Sequence, residues 1–262
     1  MTAGDRSRAL LAGLAAGIAG GLFGVGGGIV LIPILTGWFG LTQHQAHGTS
    51  LAVIGATALA SLVVYGTHSN VAWGTALAVG IASVLFARYG ARLAARTSSR
   101  HLTQAFAGFL VLVGLRLLLW KAPAAPHPVA GLGPAALAFD FVLGAAVGVL
   151  AGYMGVGGGI FAVPAFALVL GMSQHAAQGT SLAVILVTAP AGAREHHRHG
   201  NLVWRLVSML ALGAVAGGPA GSWLAQKLTN EGLTRAFAVF LLLNAALTWA
   251  RGARAGSGTR AH

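Results

Sequence analysis

The chain contains no cysteine. That excludes disulfides, thiolate nucleophiles and Cys-ligated metals, and it leaves the redox compartment unmarked. Acids are almost as scarce: Asp5, Asp140, Glu195 and Glu231 are the full set. None falls at the middle of an apolar run. A carboxylate relay of the kind that cation pumps embed in their spans is therefore not expected. Hydrolysis by paired carboxylates is disfavoured as well, and no nucleophile–base–acid set can be assembled, so the chain is not read as an enzyme. Charge of either sign is thin. Asp, Glu, Lys and Arg make up 8% of the 262 residues, against roughly 25% in a soluble domain. Too little polar material is present to cover a water-facing surface, and the better solvent is lipid.

What remains is 56% apolar, with a net charge of +12. The basic residues stand in short clusters between apolar runs, as in the loops of membrane proteins, rather than along a stripe. Nucleic acid is therefore excluded as a partner, and membrane lipid is expected as one. The start, with Arg6 and Arg8 before an apolar run from Ala9 to about Ala19, imitates a secretory signal. The same segment recurs 131 residues later, inside the chain, so it reads as mature structure.

That recurrence is gapless. Gly24-Val25-Gly26-Gly27-Gly28-Ile29 returns as Gly155-Val156-Gly157-Gly158-Gly159-Ile160, and Pro33 as Pro164. Gln43-His44 matches Gln174-His175, and the heptapeptide Gly48 to Ile54 matches Gly179 to Ile185. At the same offset Asn70 and Trp73 meet Asn201 and Trp204. Chance in a glycine-rich chain explains the first match alone but not the second at equal spacing, so the sequence is a duplication. Residues 1–120 form the first membrane repeat, 121–137 a proline-rich linker, 138–250 the second repeat and 251–262 a basic C-terminal tail, read as disordered.

Each half divides into five apolar segments, in the first half about 9–23, 29–41, 48–66, 72–94 and 102–120. The last three are long enough to cross a bilayer, which takes about 20 helical residues. The first two are short and flank the glycine cluster, as two short crossings or as a hairpin that dips and returns. Both alternatives make the halves inverted. Inversion with the N-terminus inside puts Arg6, Arg8, Arg88, Arg92, Arg96, Arg100, Arg194, Arg198, Arg205, Arg251, Arg254 and Arg260 on the cytoplasmic side. Arg116, Lys121, Lys227 and Arg235 then lie outside. Parallel halves divide the charge less unevenly. The expected fold is an all-α polytopic membrane protein of two homologous, inverted halves, with about 8–10 hydrophobic segments including short Gly-broken ones. Trp73, Trp120, Trp204 and Trp249 stand near segment ends, as interfacial anchors do.

Irregular backbone at membrane depth survives only inside protein or along a wet cavity. Helix breaks at matching places in two inverted repeats point to a transporter's binding site. Gly26, Gly27 and Gly28, with Gly157, Gly158 and Gly159, are accordingly the first candidate site residues, since a helix starting at each break aims free N–H groups at an anion. Close helix packing is the competing use of such glycines. The second candidates are Thr49, Ser50, Thr180 and Ser181, which precede apolar runs and so read as helix caps whose hydroxyls also suit a solute oxygen. His44 and His175 are equivalent positions and the candidate proton-sensitive groups, with plain loop histidines as the alternative. His196, His197 and His199 have only Glu195 as a neighbouring acid, so no metal site is assigned. No cofactor is expected: the Gly-Val-Gly-Gly-Gly string lacks the strand and lysine of a nucleotide loop.

The doubled Gly-x-Gly-Gly-Gly-x4-Pro and Ala-x-Gly-Thr-Ser-Leu stretches, from about residue 10 to 250, resemble the TauE/SafE-type sulfite exporter family of bacterial permeases. The resemblance implies an all-helical inner-membrane permease with two homologous halves; the charge distribution above places both termini on the cytoplasmic side. It implies export of a small anionic solute: sulfite, or a related organosulfonate or organic anion such as sulfoacetate. On this chain its motifs fall on Gly24–Gly28, Gly155–Gly159, Thr49–Ser50 and Thr180–Ser181. The residues leave open whether the anion moves through a carrier or a channel, and whether it moves passively or with a proton.

Overall fold

The computed structural model describes residues 3–119, 133–154 and 158–257, and among them it is entirely helical. The first five helices are α1 (Ala3–Phe23), α2 (Gly28–Gly37), α3 (Gln43–Thr67), α4 (Trp73–Ala95) and α5 (Ser99–Leu118). The second five are α6 (Pro134–Met154), α7 (Gly159–Leu168), α8 (Gln174–Arg198), α9 (Trp204–Lys227) and α10 (Asn230–Ser257). Each helix of the second set starts 131 residues after its counterpart, so the sequence repeat is a repeat of structure. Six of them, α3, α4, α6, α8, α9 and α10, are long and apolar enough to cross a membrane. The chain is a multi-pass membrane protein.

Helix starts come from polar chemistry that apolarity does not reveal. Thr42 caps α3 with a reciprocal box: its hydroxyl accepts from Gln45 N–H at 3.3 Å, and Gln45 Oε1 accepts from Thr42 N–H at 3.2 Å. Ser173 caps α8, accepting from Ala176 N–H at 3.2 Å. Both helices therefore begin about a turn and a half before the apolar segments do. At the other extreme α10 continues through Ser257, past the expected end at Trp249. The alanines and arginines there are good helix formers, so the start of the tail is helical. Of the expected linker, residues 121–132 lie outside the described residues, as does Trp120, while 134–137 already belong to α6, so the second repeat's first helix starts before the expected boundary at 138.

The two sets interlock rather than sit apart. α1 lies along α9 in the same direction, with Gly13 against Leu210, Gly17 against Ala214 and Gly21 against Gly218. α6 lies along α4 in the same way, with Gly144 on Val79, Gly148 on Ser83 and Gly152 on Ala87. These approaches are backbone to backbone. A Cβ on Gly13 or on Gly21 would fall 2.1 Å from a carbonyl oxygen of α9. Small residues let membrane helices come this close, where dispersion and not water exclusion holds them.

The counterparts α3 and α8 cross at the centre and run in opposite directions, with Gly48 against His196, Leu51 against Gly192 and Gly55 against Ala189. Tyr65, Phe166, Leu182 and Phe237 are fully buried around them. Leu59, Val63, Leu77, Leu112, Val142, Leu212 and Leu243 face outward, a surface suited to acyl chains. Trp73, Trp204 and Trp249 are also exposed. α4 and α9 run back from the turns after α3 and α8, so the exposed Arg6, Arg8, Arg92, Arg194, Arg198 and Arg205 gather at the end where α3 begins. Lys227 and Arg235 stand at the other end.

Candidate functional site

The two glycine breaks meet beside the α3/α8 crossing. Gly24, Gly26 and Gly27 have φ of 69°, 72° and 86°, a left-handed backbone that side chains other than hydrogen rarely adopt. These residues turn the chain from α1 into α2. At ten residues α2 rises only about 15 Å, half of a hydrocarbon core of about 30 Å, so α2 by itself is too short to cross one. α7 has the same length.

Space is as limiting as dihedral angle. A Cβ on Gly26 would lie 2.1 Å from Ile54 Cγ2 and 3.4 Å from Ile185 Cδ1. One on Gly159 would lie 2.6 Å from Ile185 Cδ1 and 3.1 Å from Val25 Cα. Ile54 and Ile185 are repeat counterparts on the central helices; Gly26 packs on both, Gly159 packs on Ile185, and Gly159 also touches Val25 of the first break. Gly28 and Gly159 are buried and open the short helices α2 and α7. Neither helix has a side-chain cap, so the N–H groups that open each one have no capping side chain to accept from them. Gly158 is buried too, yet a Cβ there meets nothing within 4 Å. Gly157 lies outside the described residues.

The Thr/Ser pairs sit inside α3 and α8, not at their caps, because Thr42 and Ser173 hold those positions. All four are buried. Thr49 Oγ1 accepts from Val203 N–H at 3.2 Å, and Thr180 Oγ1 accepts from Ala72 N–H at 3.0 Å. These are one bond made twice: each threonine supplies an acceptor to the residue just before the fourth helix of the other half. Ser181 donates to the Gly159 carbonyl at 3.3 Å, tying α8 to the second break. Ser50 donates to the His47 carbonyl within its own helix, at 3.0 Å. His44 is exposed on the first turn of α3, whereas half-buried His175 places Nε2 3.0 Å from the Ala225 carbonyl, to which it donates.

Several polar groups at the centre carry no motif. Tyr65, fully buried, shares its one hydroxyl hydrogen between Gln178 Oε1 at 2.8 Å and the Gly21 carbonyl at 3.0 Å. Gln178 is itself fully buried and packs against Gly24. Its Nε2, and Ser61 Oγ on α3, are buried without a hydrogen-bond partner among the described residues. Two buried polar groups so close to the break are costly unless something occupies them. Ser50, Thr57 and Ser61 form a buried polar stripe at helical spacing along α3, a signal the sequence did contain. Asp140 also departs from expectation. It is 2% exposed on the face of α6 that packs on α4, and its Oδ1 lacks a partner among the described residues. Among the described residues no cluster of His, Cys, Asp or Glu is arranged to hold a metal.

Short helices without side-chain caps that start at paired glycine breaks, and a buried polar centre between crossed spans, are the layout of a membrane transporter. The sequence matches the family described as sulfite exporter TauE/SafE over residues 3–117 and 139–262, and the chain belongs to that family. It is 31% identical over 253 residues to the probable membrane transporter protein YunE of Bacillus subtilis (strain 168), covering 88% of this chain and 92% of that one. A probable membrane transporter protein of Xylella fastidiosa (strain 9a5c) is 29% identical over 234 residues, 86% of this chain and 88% of its own. The probable membrane transporter protein MJ0441 of Methanocaldococcus jannaschii is 29% identical over 194 residues, 70% and 69% of the two chains. No solved structure matches.

Proposed function

We propose that the chain carries a small oxyanion, sulfite or a related organosulfonate, out of the cell across a bacterial inner membrane. The two halves act as inverted repeats that give alternating access to a site between the glycine breaks. The observation that carries this reading is the packing of Gly26 and Gly159 on one side chain, Ile185, with Gly159 also against Val25. It brings the uncapped starts of α2 and α7 and the unpartnered amide of Gln178 into one region.

The groups available there are donors. Free N–H groups at a helix start and the positive end of its dipole favour an anion by about 0.3–2 kcal/mol per helix. That is enough to hold a solute transiently and let it go. No covalent step is required. The opposed directions of α3 and α8 support inversion, and the gathering of arginines at one end supports a cytoplasmic location for that end, termini included.

The test is counterflow of labelled sulfite in liposomes, with sulfate, sulfoacetate and acetate as competitors. Gly158→Ala serves as the site variant, since its added methyl meets no clash. Saturable counterflow in the wild type, with several-fold weaker apparent affinity in the folded variant, is the expected result. Non-saturating flux without counterflow makes the protein an anion channel of the same architecture. Absence of flux with all four anions from folded protein overturns the anion assignment.

A further inference from the structure

The two ends of the α3/α8 pair occupy equivalent positions in the repeat but are built differently. Where α3 ends and α8 begins, Tyr65 is bonded to Gln178, Asn70 Nδ2 donates to Gln226 Oε1 at 2.8 Å, and His175 reaches the Ala225 carbonyl. That end is closed by hydrogen bonds. The counterparts of Tyr65, Gln178, His68 and Asn70 are His196, His47, His199 and Asn201. At their end a cavity of about 380 Å³ is lined by His44, Glu195, His196, His199 and Asn201.

We propose that this cavity is an anion-capture vestibule, the mouth through which the transported oxyanion passes, holding it on imidazolium and amide donors. The proposal rests on the transport reading above. His196 Nδ1 is buried there without a partner among the described residues. Glu195 is the one acid in the lining, and it is already engaged. Its Oε1 accepts from His199 at 3.1 Å, and its other oxygen is 3.8 Å from Arg198.

The surroundings are strongly cationic. α8 adds exposed Arg194 and Arg198, and α9 adds exposed Arg205. α1, whose start runs beside the start of α9, adds Arg6 and Arg8 together with Asp5. His47 of α3 accepts from Gln43 at 3.2 Å, and exposed His197 pairs with Trp204 Nε1 at 3.4 Å. Five arginines against two acids around a cleft with low-dielectric walls concentrate anions at the mouth. The exposed imidazoles at the rim, His44 and His199, then set how firmly the anion is held, because histidine is the side chain that gains charge near neutral pH.

Calorimetric binding to the full chain in nanodiscs, at pH 6 and pH 8, tests this without any transport step. Sulfite and methanesulfonate are the probes, the second because its charge is constant over the range. Wild type is expected to bind both about tenfold more tightly at pH 6 than at pH 8. His44→Gln/His199→Gln is expected to weaken binding at pH 6 about tenfold and to flatten the pH dependence. Glu195→Gln is expected to tighten binding several-fold. His68→Gln, the counterpart of His199 at the closed end, is expected to change nothing. Binding by folded double variant equal to wild type at pH 6 overturns the proposal, as does affinity indifferent to pH. Binding that follows the histidines without sulfite counterflow spares the vestibule and overturns the sulfite assignment. Counterflow with histidine-independent binding does the reverse.

Discussion

Thr49 and Thr180 offer the sharpest separation between holding the fold and holding the solute. Thr49→Val keeps the volume of the side chain and replaces its hydroxyl with a methyl group. Val203 N–H then loses its acceptor at 3.2 Å, and Val203 precedes a helix with no side-chain cap of its own. A buried donor left unsatisfied costs about 1–3 kcal/mol. Thr180→Val does the same to Ala72 N–H at the other end. The two bonds are far apart. Gly179, beside Thr180, touches the Tyr65 ring, and Tyr65 stands sixteen residues along α3 from Thr49, about 24 Å at the helical rise. Sites so separated add, so the double variant is expected to lose about 2–6 kcal/mol. Reversible unfolding by SDS titration in mixed micelles reads this directly. Thr49→Ser keeps the acceptor and is expected to stay within about 1 kcal/mol of wild type. The reasoning fails if Thr49→Val leaves stability within about 0.5 kcal/mol of wild type while abolishing flux, since the hydroxyl would then serve the solute and not α9.

Three further outcomes are expected. Gly148→Ala drives a Cβ to 2.5 Å from the Ser83 carbonyl oxygen, whereas Gly108→Ala meets nothing within 4 Å. The first should lower the melting temperature markedly, and the second should leave it unchanged or raise it slightly, since alanine is favoured over glycine in helices by up to about 1 kcal/mol. Tyr65→Phe removes the donor shared by Gln178 and Gly21. It is expected to cost about 1–3 kcal/mol by the same titration and to raise thiol accessibility at an introduced Asn70→Cys. Because the native chain has no cysteine, single cysteines also report sidedness. Ser69→Cys and Thr229→Cys should label from one face of the membrane, and Thr97→Cys and His199→Cys from the other. Labelling of Ser69→Cys and His199→Cys from the same face refutes inversion.

Much of the fold was readable because the chain states it twice. The offset of 131 residues located every helix of the second set from the first, and the glycine clusters located both breaks. Helix starts were misjudged where polar residues begin a helix. Gln43, His44 and Gln45 belong to α3 through the Thr42 cap, although none of them is apolar. Apolarity marks the length of contact with lipid and neighbours, while capping marks the start of the helix. The consequence at the site is that Thr49 and Thr180, read as caps, look free to face a solute, whereas about two turns beyond the caps Thr42 and Ser173 they brace the opposite half.

What the sequence hid most completely was contact between positions that are not counterparts. Tyr65 bonds Gln178, 113 residues away, and no local spacing encodes that pairing. A trace of it is present nevertheless, in the places where the two copies disagree. A duplicated gene begins with identical ends, and Tyr65 against His196 and Gln178 against His47 break that identity at two positions that a crossed α3/α8 pair brings together. One end gained a phenol and an amide that bond to each other, while the other has imidazoles around a cavity. Agreement between repeats therefore locates the shared scaffold and its glycine breaks. Disagreement between them locates what makes one end of the α3/α8 pair different from the other: a hydrogen-bonded closure at one and an imidazole-lined cavity at the other.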